Sequence, residues 1–243
     1  MIIGVIDSGI GGLAALARIS EALGKNHYIY FSDNLFAPYG SLNKETVEAR
    51  VKCIAKKLIA RGAALILILC NTAGTVCGEK LKRELSVPVV YISPGFAGKG
   101  DGGAVIATPL TISKLGKKPG LDTIPADGLA TAVERSAPMF TEAEEEISRL
   151  LKGRSYRYVI LGCTHYIYLR EAVRKALPNA VIYDGTDAVK AECRRLFPKR
   201  ERAERNLGSI EICFSGADEF EKYLAVIKQC FYGKKGTVFR GSL

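Results

Sequence analysis

Runs of aliphatic residues alternate with amphipathic segments along the whole chain. The clearest run is Leu65-Ile66-Leu67-Ile68-Leu69, which ends abruptly in Cys70-Asn71-Thr72. A continuous apolar run of this length predicts a strand buried on both faces of a parallel sheet. The pattern returns at Tyr158-Val159-Ile160-Leu161, which passes through Gly162 into Cys163-Thr164-His165. Similar runs predict strands near 2–6, 28–31, 87–92, 104–107, 180–183, 210–214 and 237–239. Between them, Val47, Val51, Ile54 and Leu58 recur at helical spacing before Gly62, which predicts a helix near 43–61. Further helices are predicted after Gly9-Ile10-Gly11-Gly12 and near 73–85, 168–177, 187–197 and 218–230. Thr141 with Glu144 forms a capping-box pattern ahead of Ile147, Leu150 and Leu151, and predicts a helix start there.

Strands alternating with helices imply an α/β fold with parallel sheets. The loose similarity of the two halves predicts two doubly wound parallel-sheet domains related by pseudo-symmetry, with a cleft between them. Ser93-Pro94-Gly95 and the glycine-rich stretch 98–103 predict the crossing from one to the other. The late strand 210–214 is followed by an amphipathic helix with Phe220, Leu224 and Ile227. It is expected to return to the first sheet. The first domain would then comprise 1–94 with 208–243 and carry Cys70; the second, 95–207, would carry Cys163.

Composition narrows the function classes. The 243 residues are 48% hydrophobic and 25% charged, as in a soluble globular protein. No apolar run reaches the ~18 residues of a membrane span. The beginning, Met1-Ile2-Ile3-Gly4-Val5-Ile6, reads as a first strand rather than a signal peptide, so a cytoplasmic location is expected. Seven scattered cysteines, an odd number, argue for reduced thiols. Two histidines and no C-x-x-C argue against a metal site. The net charge of +10 is densest from Lys190 to Arg205, where Glu192, Glu201 and Glu204 interleave the basic residues. That mixture reads as a solvated surface. No nucleic-acid-binding motif accompanies it, so no specific nucleic-acid or membrane partner is expected. Attraction of a small anionic substrate fits the excess equally well.

Gly9-x-Gly11-x-x-Ala14 between a strand and a helix, with Asp33 at the end of the next strand, fits a dinucleotide-binding fingerprint. Asp7 at the same strand end argues against it, because its carboxylate would repel a pyrophosphate. The cysteines carry the stronger argument. Each lies between a strand end and a helix start, where the helix dipole is expected to favour a thiolate. A thiolate is a competent general base and a thiol a competent acid. Two such groups on opposite sides of one carbon would suffice to invert a stereocentre.

Asp7-Ser8-Gly9-Ile10-Gly11-Gly12-Leu13, Pro38-Tyr39-Gly40, Cys70-Asn71-Thr72-Ala73, Ala107-Thr108 with Thr111, and Leu161-Gly162-Cys163-Thr164-His165-Tyr166 occur in the order found in glutamate racemases. The chain thus resembles the cofactor-independent aspartate/glutamate racemase superfamily over nearly its whole length. His165, where aspartate racemases carry glutamate, favours glutamate as substrate. The resemblance implies two catalytic thiols, Cys70 supported by Asp7 and Cys163 supported by His165. Glu134 best matches a further supporting glutamate. Ser8, Tyr39, Gly40, Asn71, Thr72 and Thr164 resemble substrate-binding positions, with Asp7 and His165 beside them; Thr108 and Thr111 are expected in the same pocket. No cofactor is implied, and a homodimer is left open. The implied role is supply of D-glutamate for bacterial cell-wall peptidoglycan. Ser93, Ile167, Gly185, Ser32 and Leu42 depart from the family's usual residues. Three readings stay open on sequence: a glutamate racemase, a racemase or isomerase for aspartate or another carboxylate, and a silent ligand-binding relative.

Overall fold

The computed structural model describes residues 1–95, 100–198 and 206–242. The first βαβ units are β1 (Ile2–Asp7), α1 (Gly11–Leu23), β2 (Asn26–Ser32), α2 (Lys44–Ala60) and β3 (Leu65–Ile68). Then follow α3 (Asn71–Ala73), a π-helical turn (Gly74–Gly78), α4 (Glu79–Glu84) and β4 (Val89–Tyr91). The predicted 73–85 helix therefore exists but is broken by a π turn. Glycines at 74 and 78 let it press on β4: a Cβ on Gly74 would lie 2.0 Å from the Ile92 carbonyl oxygen, and one on Gly78 2.4 Å from the Tyr91 ring.

A second series begins with β5 (Gly103–Ala107), α5 (Pro109–Leu115), β6 (Leu121–Pro125), α6 (Leu129–Ser136) and α7 (Thr141–Leu151). It continues with β7 (Tyr158–Leu161), a 3-10 turn (Thr164–Ile167), α8 (Arg170–Ala176), β8 (Val181–Asp184) and α9 (Thr186–Leu196). The chain closes with β9 (Asn206–Phe214), α10 (Phe220–Cys230) and β10 (Lys235–Arg240). Part of the predicted 98–103 crossing and the charged residues 199–205 lie outside the described residues.

The strands form two sheets, a six-stranded one ordered β10-β9-β2-β1-β3-β4 and a four-stranded one ordered β6-β5-β7-β8. Every paired strand in both is parallel. β9 lies against β2, with Ile210 opposite Tyr28 and Ile212 opposite Tyr30. The late strand thus joins the sheet that holds β1. Ile3, Val5, Leu65, Leu67, Ile106, Val159 and Leu161 are fully buried in the main core, as the unbroken apolar runs required. Among the described residues no helix is long and apolar enough to cross a membrane.

The sheets share one topological device. From β1 the chain adds β2 on one side and later β3 on the other; from β5 it adds β6 on one side and β7 on the other. Each sheet therefore has a switch point beside its first strand, where ligand crevices form at the carboxyl ends. β1 and β3 end there at Asp7 and just before Cys70, and β5 and β7 just before Thr108 and Cys163.

One local expectation is corrected. Thr141 is the first helical residue of α7, and Phe140, in a left-handed conformation at φ 59°, holds the cap position without a side-chain bond. The chain reaches it through a tight turn in which Phe140 N donates to the Ser136 carbonyl (2.9 Å). Phe140 stacks on Tyr168 with centroids 4.5 Å apart, and this tertiary contact sets the start of the helix.

Candidate active site

The glycine turn after β1 is shaped by what packs against it. Asp7 is fully buried, and its Oδ2 accepts from the amides of Gly12 (2.8 Å) and Gly9 (3.3 Å). A Cβ on Gly11 would lie 2.6 Å from His165 Nδ1 and 2.8 Å from the His165 amide nitrogen. One on Gly9 would meet Glu134 Oε1 at 1.7 Å. The turn is thus filled by the second cysteine's motif, which leaves no cradle for a pyrophosphate. Asp33 is committed too: its carboxylate accepts from Tyr39 Oη (2.5 Å) and is forked by Arg50 (2.9 and 2.5 Å). Both features of the dinucleotide reading therefore have structural partners.

Cys70 is 5% exposed and Cys163 6%. Cys70 Sγ contacts Ser8 Oγ at 3.8 Å. Asp7 acts on Cys70 through its charge. Burial first, then the Asp7 carboxylate, pushes the Cys70 thiol far above the ordinary thiol range. The Ala73 amide at the helix start favours a thiolate as expected, but burial and the Asp7 charge outweigh it. Burial raises the Asp7 carboxyl to about 6, against His165 and the turn amides, which lower it.

The second thiol has different support. Only a 3-10 turn follows Cys163, but His165 Nδ1 lies 3.6 Å from its sulfur. His165 Nε2 is 2.7 Å from Glu134 Oε1, which also accepts the Ile10 amide (2.7 Å). Burial opposes a charged imidazole, yet the bonds to Cys163 and Glu134 outweigh it and hold His165 well above its usual pKa. A charged ring donates to both neighbours. Glu134, matched only thinly by sequence, is brought directly into this chain of contacts.

The remaining predicted residues converge. Thr72 Oγ1, from the first sheet, lies 3.0 Å from Thr108 Oγ1 and 3.1 Å from Thr111 Oγ1, both from the second. Tyr39 is buried, and a Cβ on Gly40 would lie 2.5 Å from Thr108 Cβ. Both amide atoms of Asn71, Thr164 Oγ1 and Asp7 Oδ1 are buried without any hydrogen-bond partner. Each such group costs about 1–3 kcal/mol when left unpaired. Apart from Thr75 Oγ1, these are all the unpartnered buried side-chain atoms among the described residues, and they belong to the two cysteine motifs and to the strand end before the glycine turn. An α-amino acid, with ammonium and carboxylate groups, is the kind of ligand that would satisfy them. Among the described residues no group of three His, Cys, Asp or Glu side chains is arranged to hold a metal.

Sequence reasoning did not single out Tyr30 or Lys222. Tyr30 Oη lies 2.7 Å from the Gly9 carbonyl, to which it donates, and 3.2 Å from Asp7 Oδ2. Lys222 Nζ reaches Glu134 Oε2 at 3.3 Å. Tyr30 is brought there because β2 pairs directly with β1, and Lys222 because β9 returns to the first sheet and is followed by α10. Two departures from the family pattern meet in space, for a Cβ on Gly185 would lie 2.7 Å from the Ser93 carbonyl oxygen.

No protein-family model matches the chain. A curated glutamate racemase from Halothermothrix orenii is 30% identical over an alignment of 253 positions, covering 94% of this chain and 100% of that protein. The structure of a glutamate racemase from Aquifex pyrophilus superposes with a TM-score of 0.67 at 28% identity, covering 97% of this chain and 98% of that one. A glutamate racemase isoform from Bacillus anthracis superposes with a TM-score of 0.79 over 100% of this chain and 97% of that one. Its 24% identity speaks for the fold alone.

Proposed function

The chain belongs to the glutamate racemase family, and from that premise we propose that Cys70 and Cys163 interconvert L- and D-glutamate by proton transfer on opposite faces of the α-carbon. One observation carries this reading: corresponding switch points of two sheets each supply a buried thiol beside unsatisfied polar groups. The enzyme is an isomerase.

In one direction Cys163, as thiolate, takes the α-proton while Cys70, as thiol, donates to the opposite face. One S–H bond forms as the Cα–H bond breaks, and one S–H bond breaks as the new Cα–H bond forms. Net charge is conserved, and the reverse direction exchanges the roles. The Glu134–His165 pair directs a charged N–H at Cys163, and Ser8 Oγ contacts Cys70. Asn71, Thr72, Thr108, Thr111 and Thr164 hold the substrate's charged groups by neutral hydrogen bonds, with Tyr39 and Gly40 closing one side. No cofactor takes part.

Both thiols and the polar side chains beside them are buried, so substrate gains access when two domains, 1–94 with 208–243 and 95–207, part and close again. Closure excludes water from the carbanion-like intermediate. The same reading sets the enzyme in the cytoplasm as a source of D-glutamate for cell-wall precursors. The test is incubation with each enantiomer in deuterated water. Racemisation by circular dichroism with deuterium at Cα supports the proposal; glutamate binding without exchange would sink it and favour a silent relative.

A further inference from the structure

Outside the thiols' own motifs, one charged side chain crosses from the first sheet to the second thiol's support. We propose that Lys222 is a positioning residue for Cys163, its ammonium holding Glu134 as the carboxylate that keeps His165 charged and aimed at the sulfur. This rests on the two-thiol reading above.

Lys222 stands in the first turn of α10, whose Tyr223 packs on Phe214 of β9 and whose Phe220 lies under Arg240 of β10 in the six-stranded sheet. Glu134 stands on α6, between β6 and β7 of the other sheet in chain order. The two oxygens of Glu134 divide the work: Oε1 takes the His165 ring and the Ile10 amide, while Oε2 faces Lys222 Nζ at 3.3 Å. The side chains are only 25% and 15% exposed, so water screens the pair less than it would a surface bridge. Lys222 is itself steadied by Glu219 at 2.8 Å. Arg135, next to Glu134 in sequence, is turned away onto Glu142.

The charge balance around Glu134 gives Lys222 its weight. Burial and the nearby Asp7 disfavour a second carboxylate in this region, and Tyr30, Tyr168 and Tyr223 face the same negative charge. His165, Lys222 and the Ile10 amide oppose them and hold Glu134 below its usual pKa. With Lys222 neutralised, His165 is the only cation left among these named groups. Protonation of Glu134 would then remove the acceptor at Nε2, and with it the reason for the ring to stay charged. A cation at this distance shifts a carboxyl by about 1–3 units, and partial exposure sets the expectation near one unit.

The chain has two histidines, so the His165 ring nitrogens can be followed by 15N NMR, with a His27→Gln variant assigning the other signal. In Lys222→Gln, the acid-side titration sensed by His165 should move up by about one unit. The acid limb of kcat/KM for glutamate should move with it while KM at alkaline pH holds. Lys222→Arg should restore both. An unshifted titration in a folded Lys222→Gln variant overturns the proposal, as does a raised KM with no pH shift, which would make Lys222 a substrate contact. If the native protein proves inactive on glutamate, the two-thiol reading falls, while the NMR midpoint still decides whether Lys222 acts through Glu134.

Discussion

Replacing Gly11 by alanine should damage the alignment of the two halves more than the fold. The new methyl would lie 2.6 Å from His165 Nδ1, 2.7 Å from Thr164 Oγ1 and 2.8 Å from the His165 amide nitrogen. A backbone atom cannot rotate away, so the second thiol's turn must shift relative to α1. Overpacking of this kind costs about 1–3 kcal/mol. If the strain is relieved by holding the halves apart, the competent form is depleted about 5- to 150-fold, and kcat/KM falls by that factor. Gly4→Ala is the control: its methyl would lie 2.8 Å from Ile66 Cδ1 and 3.0 Å from Leu58 Cβ, inside the first sheet's own core. There the same strain has no cleft to open and should lower the melting temperature, by about 2–4 °C per kcal/mol in a chain of this size. Paired melting curves and steady-state racemisation separate the two. Equal melting losses with unchanged kcat/KM in Gly11→Ala would refute the assignment of this contact to closure.

Thr72→Val removes the hydroxyl that bridges Thr108 and Thr111; losing about 1 kcal/mol should lower kcat/KM severalfold, and an unchanged value would remove the bridge from the account. Asp7 has a folded pKa of about 6 against 3.8 in a model peptide, so the folded state holds this proton more tightly than the unfolded chain. The contribution to stability is then greatest below 3.8 and declines by about 3 kcal/mol as pH rises to about 6. Asp7→Asn should lose that slope in pH-dependent denaturant unfolding, and an identical slope would contradict the burial argument. Cys53 is exposed and Cys230 half-buried, whereas Cys70, Cys77, Cys163, Cys193 and Cys213 are buried. A thiol reagent should therefore modify Cys53 first and Cys230 next, and glutamate should further slow Cys70 and Cys163; modification of Cys70 and Cys163 as fast as Cys53 would show a cleft that stands open.

The paired strand–cysteine motifs were legible because a doubly buried strand writes an unbroken aliphatic run and a strand-end ligand site breaks it sharply. Leu65–Leu69 and Tyr158–Leu161 carry that signal, and the return of β9 could be read from Ile210–Phe214 by the same logic. β6, Leu121–Pro125, was missed because Asp122, Thr123 and Pro125 are exposed on this edge strand, so it lacks an apolar run. α6 was missed because its eight residues are too few for a clear period, and with it went the geometry that brings Glu134 to His165. The Thr141 capping pattern failed because a stacking partner distant in sequence, Tyr168, fixes Phe140. The ionisation of Cys70 could not be read either, since a neighbouring Asp7 and complete burial are tertiary facts. Lys222 carries no local signal at all; a lysine in a first helical turn looks solvated until the other sheet supplies Glu134.

The measurement that bears most directly on the two-faced assignment is elimination from both enantiomers of a β-chloro glutamate analogue by Cys70→Ser and Cys163→Ser. Elimination needs only one competent base, because chloride leaves as the α-proton is removed. Serine is a poor base at neutral pH, so each folded variant should lose racemisation yet retain elimination from the enantiomer whose proton faces its remaining thiol. The account predicts that the two variants prefer opposite enantiomers. If both prefer the same one, or either retains near-native racemisation, the thiols do not act from opposite faces.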